Sequence, residues 1–170
     1  TIDGGKDMST VNSFFTKATY KGAVSSSNDW TAGWTLASNA VQQSETLEGS
    51  QTSGTKTLTA NKVYYLTGGY TVKSGATLKI EDGVTVIAKN DNIVDYILIE
   101  QGGKIDAQGT ASSPIVMTSE KKEAGAWGGI HICGYAHTNL GATSKSEIGD
   151  ATYGGTNDAD NSGTLRYIRL

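Results

Sequence analysis

The residues best suited to chemistry lie near the C-terminal end. In Asn157-Asp158-Ala159-Asp160-Asn161-Ser162-Gly163, the side chains Asp158, Asp160 and Ser162 stand at alternate positions before a glycine. Hard oxygen ligands at this spacing open a calcium loop, because the glycine lets the chain turn sharply around one ion. Counting twelve residues from Asp158 inclusive reaches Arg169, where such a loop would supply a bidentate glutamate. The competing reading is an Asx-rich turn whose carboxylates accept backbone amides, and the missing glutamate favours it. Calcium is the one cofactor the sequence raises, with Asp158, Asp160 and Ser162 as its candidate ligands.

A second set is aromatic. Trp30, Trp34 and Tyr135 sit in polar surroundings and are the candidate ligand-binding residues, since exposed rings stack on sugar faces. Trp127, beside Gly128-Gly129, reads instead as packing against a corner or cap. His131 and His137 are the only histidines, and without an adjacent Cys or Glu their spacing is a weak metal signal. Cys133, the single cysteine, follows Ile130-His131-Ile132 and reads as an inert buried thiol. A polysaccharide lyase would need clustered carboxylates with a Lys or Arg base, and a hydrolase two opposed carboxylates. Glu81, Asp82, Glu100 and Asp106 read as scattered solvated groups at strand ends, so no catalytic residue is assigned.

Composition limits what can position these residues. The 170-residue chain has 36% hydrophobic residues, enough for one thin or elongated core. Glycine makes up 22 residues, nearly double the usual share of about 7%. Such a mix suits short strands and tight turns rather than a helical bundle. Fourteen basic against seventeen acidic residues give a net charge of −3, with no basic stripe for a nucleic-acid backbone. No run approaches the roughly 20 apolar residues of a membrane span.

Along the chain, Asp7 or Ser9 starts a short helix over 7–20, with Val11, Phe14 and Phe15 on one face. Residues 42–60, polar and rich in Ser, Thr, Gln and Gly, read as a linker. From Val63 the pattern becomes one of short alternating strands closed by glycine or Asx turns. Tyr70/Val72, Leu78/Ile80 and Val84/Val86 form one round; Ile97/Ile99, Ile105/Ala107 and Ile115/Met117 repeat it. Val72 to Leu98 spans 26 residues and Ile80 to Ala107 spans 27. A third round starts at Trp127, with Ile130 and Ile132 in its first strand. Strands this short are stable only when stacked coil on coil, which predicts an all-β, right-handed parallel β-helix.

Four segments carry a family resemblance: Gly75–Ala88, Gly103–Ser119, Trp127–Ile132 and Tyr153–Arg169. In that order they resemble a family of large, mostly uncharacterised β-helix proteins exported by Bacteroidota, many of them surface lipoproteins. The resemblance covers about residues 60–170. It implies a cell-surface or outer-membrane address and a setting near nutrient-importer subunits or surface glycans. The expected organisation is a cap, or the end of a preceding domain, over 1–41, a linker over 42–60, and a parallel β-helix over 61–170. Only its first coils are expected, because the chain stops inside an apparent strand, Leu165–Leu170. The expected function is a non-enzymatic surface scaffold or binding protein accessory to an importer of glycan or peptide. The alternatives are a carbohydrate-active lyase or hydrolase whose active coil lies elsewhere, and an adhesin.

Overall fold

The computed structural model describes residues 43–60, 62–141 and 144–170. The expected helix over 7–20, Trp30 and Trp34 lie outside them. Strands β1 (Gln43–Gln51), β2 (Gly54–Leu58), β3 (Lys62–Val72), β4 (Ala76–Ile80), β5 (Thr85–Ala88), β6 (Tyr96–Ile99), β7 (Lys104–Gln108), β8 (Ile115–Ser119) and β9 (Ile130–Ile132) follow one another around a coil. After an excursion carrying β10 (Ser144–Lys145) and β11 (Thr152–Tyr153), β12 (Gly163–Arg166) and β13 (Ile168–Arg169) resume it. Every pairing is parallel except that of β10 with β11. Among the described residues this is a parallel β-helix, as the periodicity predicts.

Three walls stack. The first holds the end of β1, the second half of β3, then β6 and β9. The second holds β2, β4, β7 and β12. The third holds the starts of β1 and β3, then β5, β8 and β13. β3 serves two walls because it turns the corner at Gly68, whose φ of 65° a side chain would strain.

In-register stacking lines up like with like. Leu58, Ile80, Ala107 and Leu165 form one inward column. Val72, Ile99 and Ile132 form another, and Tyr64, Val86 and Met117 a third. Strand side chains alternate between faces, so these columns fill the bore and their neighbours face out. Each fully buried Val, Leu, Ile or Met among them contributes about 1.5–3 kcal/mol, while Ile132 and Leu165 in the last coil stay partly exposed. Since each strand is only a few residues long, stability comes from the stack and not from any coil alone.

Three sequence expectations change. Residues 43–58 are not a linker: β1 and β2 form a coil of their own, with Leu47 and Leu58 in the core. Their polarity misleads because Glu45 shares the inward column of Tyr64 and Lys56 that of Leu78. At this end of the bore the two pair with each other, and Lys62 lies 3.8 Å from the other Glu45 oxygen. The coil register is also one residue off: Val72 pairs with Ile99, and Leu98 with Thr71. A one-residue slip reverses the face, so Leu98 points outward. Finally, Leu165–Leu170 is two strands, because Tyr167 adopts a φ of 47° and turns the corner.

Candidate functional site

Leu98 faces outward and is nonetheless only 1% exposed. What covers it is the excursion between β9 and β12, described over residues 133–141 and 144–162, which lies as an arm on the outside of the first wall. Leu98 packs with Cys133 and Ala151, flanked by Tyr96 and Tyr153, in a small apolar cluster separate from the bore. Earlier coils cross the same corner in a few residues, Lys73–Gly75 and Glu100–Gly103. The arm is therefore an insertion at one corner of one coil.

Polar contacts hold the arm. The Gln101 amide donates to Gly134 O at 3.0 Å and Gly154 O at 2.8 Å, joining the outgoing and returning limbs of the arm to the corner beneath. Ser146 Oγ donates to Ile148 O and accepts from the Ala151 amide, closing the β10–β11 turn. Asp160 Oδ2 accepts from the Tyr135 amide at 2.9 Å, and Ser162 Oγ is 3.4 Å from the same oxygen. Asp158 Oδ1 accepts from the His137 amide at 2.9 Å and lies 2.7 Å from His137 Nδ1. These bonds to the His137 amide and imidazole hold the Asp158 carboxyl below its ordinary range.

So the stretch weighed as a calcium loop against an Asx-rich turn fastens the return of the arm to its departure. Asp158 and Asp160 each serve a different amide. Among the described residues no three His, Cys, Asp or Glu side chains converge as a metal site. Burial pushes the Cys133 thiol above its ordinary range, as suits an inert position beneath the arm. His131 faces outward in register with Leu98, and its Nε2 lies 2.9 Å from Gly128 O.

Tyr135, at 39% exposure, borders a cleft of about 380 Å³ between the arm and the β6–β7 corner. Glu100, Gln101, Lys145, Asp150, Ala151 and Thr152 complete its lining. Glu100 is paired with Lys73 of the coil below at 3.2 Å, and Lys145 Nζ donates to Asp150 O at 3.1 Å. The cleft thus offers one aromatic residue beside a fixed amide, paired charges and the Thr152 hydroxyl.

A second depression, of about 300 Å³, lies on the second wall and was not foreseen from the sequence. Lys79, Glu81, Asp82, Asp106 and Gln108 line it. Lys79 and Asp106 are neighbours in adjacent coils, and Gln108 Nε2 donates to Asp106 Oδ1 at 2.7 Å. One Glu81 oxygen accepts the Ala60 amide at 3.0 Å. Three of the four carboxylates read as scattered, Glu81, Asp82 and Asp106, are brought to one place by the 27-residue offset between Ile80 and Ala107, while Glu100 lines the other cleft. That offset was the available signal. A third hollow, of about 550 Å³, opens at the mouth of the last coil between Ile132, Leu165 and the 158–162 loop.

No curated protein and no solved structure matches the chain. A family model described as a pectate-lyase like beta helix domain matches residues 49–170, from the end of β1 through the later coils and the arm. The match covers well over half of the sequence, and the chain belongs to the family of pectate-lyase-like β-helix domains.

Proposed function

We propose that this chain is a non-catalytic cell-surface binding module in which the stacked walls are a rigid scaffold and the arm shapes a glycan-binding cleft. The observation that carries the reading is the exposed Tyr135 residue, set beside the hydrogen-bonded side chains of Gln101 and Lys145 and near Thr152. An aromatic face beside convergent polar groups suits a sugar ring, which has an apolar face and a hydroxyl rim. The carboxylates lining the cleft support binding over turnover: Glu100 is engaged by Lys73, and Asp150 by Lys145. Affinity electrophoresis through gels containing neutral or acidic polysaccharides tests this. At least one polymer should retard the chain, and Tyr135→Ala should weaken retention about tenfold. Equal retention of both forms, or none with any polymer, would count against the cleft. Association with an outer-membrane importer belongs to the same proposal and rests on the family resemblance; co-purification from native membranes tests it.

A second reading has its own observation. Lys79, Asp106, Glu81 and Asp82 share one depression on the second wall, which is the kind of set that lyase chemistry requires. If the chain turns over a polysaccharide, Lys79→Ala should abolish product while Tyr135→Ala should mainly alter binding.

A further inference from the structure

Asp95 is buried to 1% exposure, and one of its oxygens has no partner. It stands in a corner column whose neighbours above and below are Gly68 and Gly128. Its Oδ1 accepts the Gly68 amide at 2.6 Å, and its backbone carbonyl accepts the Gly128 amide at 2.6 Å. One residue thereby ties three successive coils. Its Oδ2 has neither donor nor water access, a position tolerable for a carboxylic acid and costly for a carboxylate.

The arm lies directly over this corner. A β-carbon on Gly128 would fall 2.9 Å from Ile148 Cδ1 and 3.2 Å from Tyr96 Cβ. One on Gly149 would fall 2.7 Å from Leu98 Cδ2 and 3.2 Å from Tyr96 Cε2. The Ile148–Gly149 turn of the arm therefore seats on Tyr96, the residue after Asp95. The segment on the other side of Asp95 is loosely held: Ile93 and Val94 are both more than half exposed, and Asn92 has a φ of 65°. A corner with so few contacts has little to lose on opening.

We propose that the Asp95 corner is a proton-operated latch for the arm: the neutral acid holds the arm closed over Leu98 and Cys133, and ionisation releases it. An ionised Asp95 regains water by swinging out through the exposed 91–94 segment. That movement carries Tyr96 away from Gly149 and removes the seat of the arm. Burial, the largest influence, raises the Asp95 carboxyl above its ordinary range, so that the neutral form persists into milder acid. The other charges acting on it are Asp91 of its own corner and Glu120 of the next, and both raise it further. The Gly68 and Lys89 amides oppose them, while the Lys89 ammonium is taken up by Glu120 at 3.1 Å. The corner beneath presents Thr67, Gly68 and Gly69, which are uncharged; Glu147 and Asp150 of the arm are exposed.

Hydrogen exchange between pH 4 and pH 8, corrected for intrinsic rates, tests the latch in the wild-type chain. Protection of arm amides within 144–154 should fall about tenfold as pH rises, while protection of β4 and β7 stays constant. Asp95→Asn keeps the acceptor for the Gly68 amide and should hold arm protection level across the range. Alkylation of Cys133 gives a second readout, because the wild-type to Asp95→Asn rate ratio at each pH cancels the thiolate fraction. That ratio should rise from near one in acid to about ten at pH 8. Flat arm protection in the wild type, a ratio of one at every pH, or an equal fall in Asp95→Asn would overturn the proposal.

Discussion

Asp95 shows how stacking can turn an ordinary turn residue into an energetic liability. Its folded-state carboxyl lies above its unfolded value, so its contribution to stability is fully present in acid below the unfolded value. That contribution is lost as pH rises through the folded value. Asp95→Asn should therefore leave urea stability unchanged near pH 3.5 and raise it by about 1 kcal/mol at pH 7, measured as a shift in midpoint at constant slope. Asp158 has the opposite sign. Its carboxyl is held low by His137, so the tie between the arm ends is present above the ordinary carboxylate range and lost as pH falls through the lowered value. His137→Ala should increase proteolysis of the loop around 135–140 at pH 7 without moving the global unfolding midpoint. In the sequence Asp158 and Asp160 stand out by spacing, whereas Asp95 looks like the end of an Asn-Asp turn. Its burial arises from Gly68 and Gly128, which lie 27 and 33 residues away and become its neighbours only once the coil register is known.

Walls and arm are different kinds of element, and substitutions should separate them. Leu98 and Ile99 are adjacent, both buried, and face opposite ways: one under the arm, the other in the bore. Ile99→Ala should cost about 3 kcal/mol of global stability by leaving a cavity between Val72 and Ile132. Leu98→Ala should cost less globally but speed Cys133 alkylation under native conditions, because it empties the cluster that holds the arm down. Gly149→Ala should act like Leu98→Ala, since a β-carbon there meets both a φ of 78° and Leu98 Cδ2. The walls were legible in the sequence because Leu78/Ile80 and Ile105/Ala107 repeat an alternation that only a strand explains. The first coil was not, because Glu45 and Lys56 occupy inward positions and satisfy each other there. The arm was not either: β10 and β11 are two residues each, too short for any periodicity, and the arm is held by side-chain bonds such as those of Gln101.

On the scale of the molecule, a stack of like columns gives rigidity, and insertions at its corners give individuality. Coils are also joined on the outside, by Lys73 with Glu100 and Lys89 with Glu120, pairs that join one coil to the next. Such half-exposed pairs add little to stability, and their stronger effect is to fix coil against coil in one register. The aromatic cleft at Tyr135 and the charged depression at Lys79 are both products of that register, on different walls. They imply different functions, and turnover decides between them. The most direct measurement is therefore incubation of the chain with the polysaccharide that retains it, following unsaturated and reducing-end product together. The expected result is retention with no product above the rate without protein. Product that accumulates with time and vanishes in Lys79→Ala would contradict it and move the functional site to the second wall.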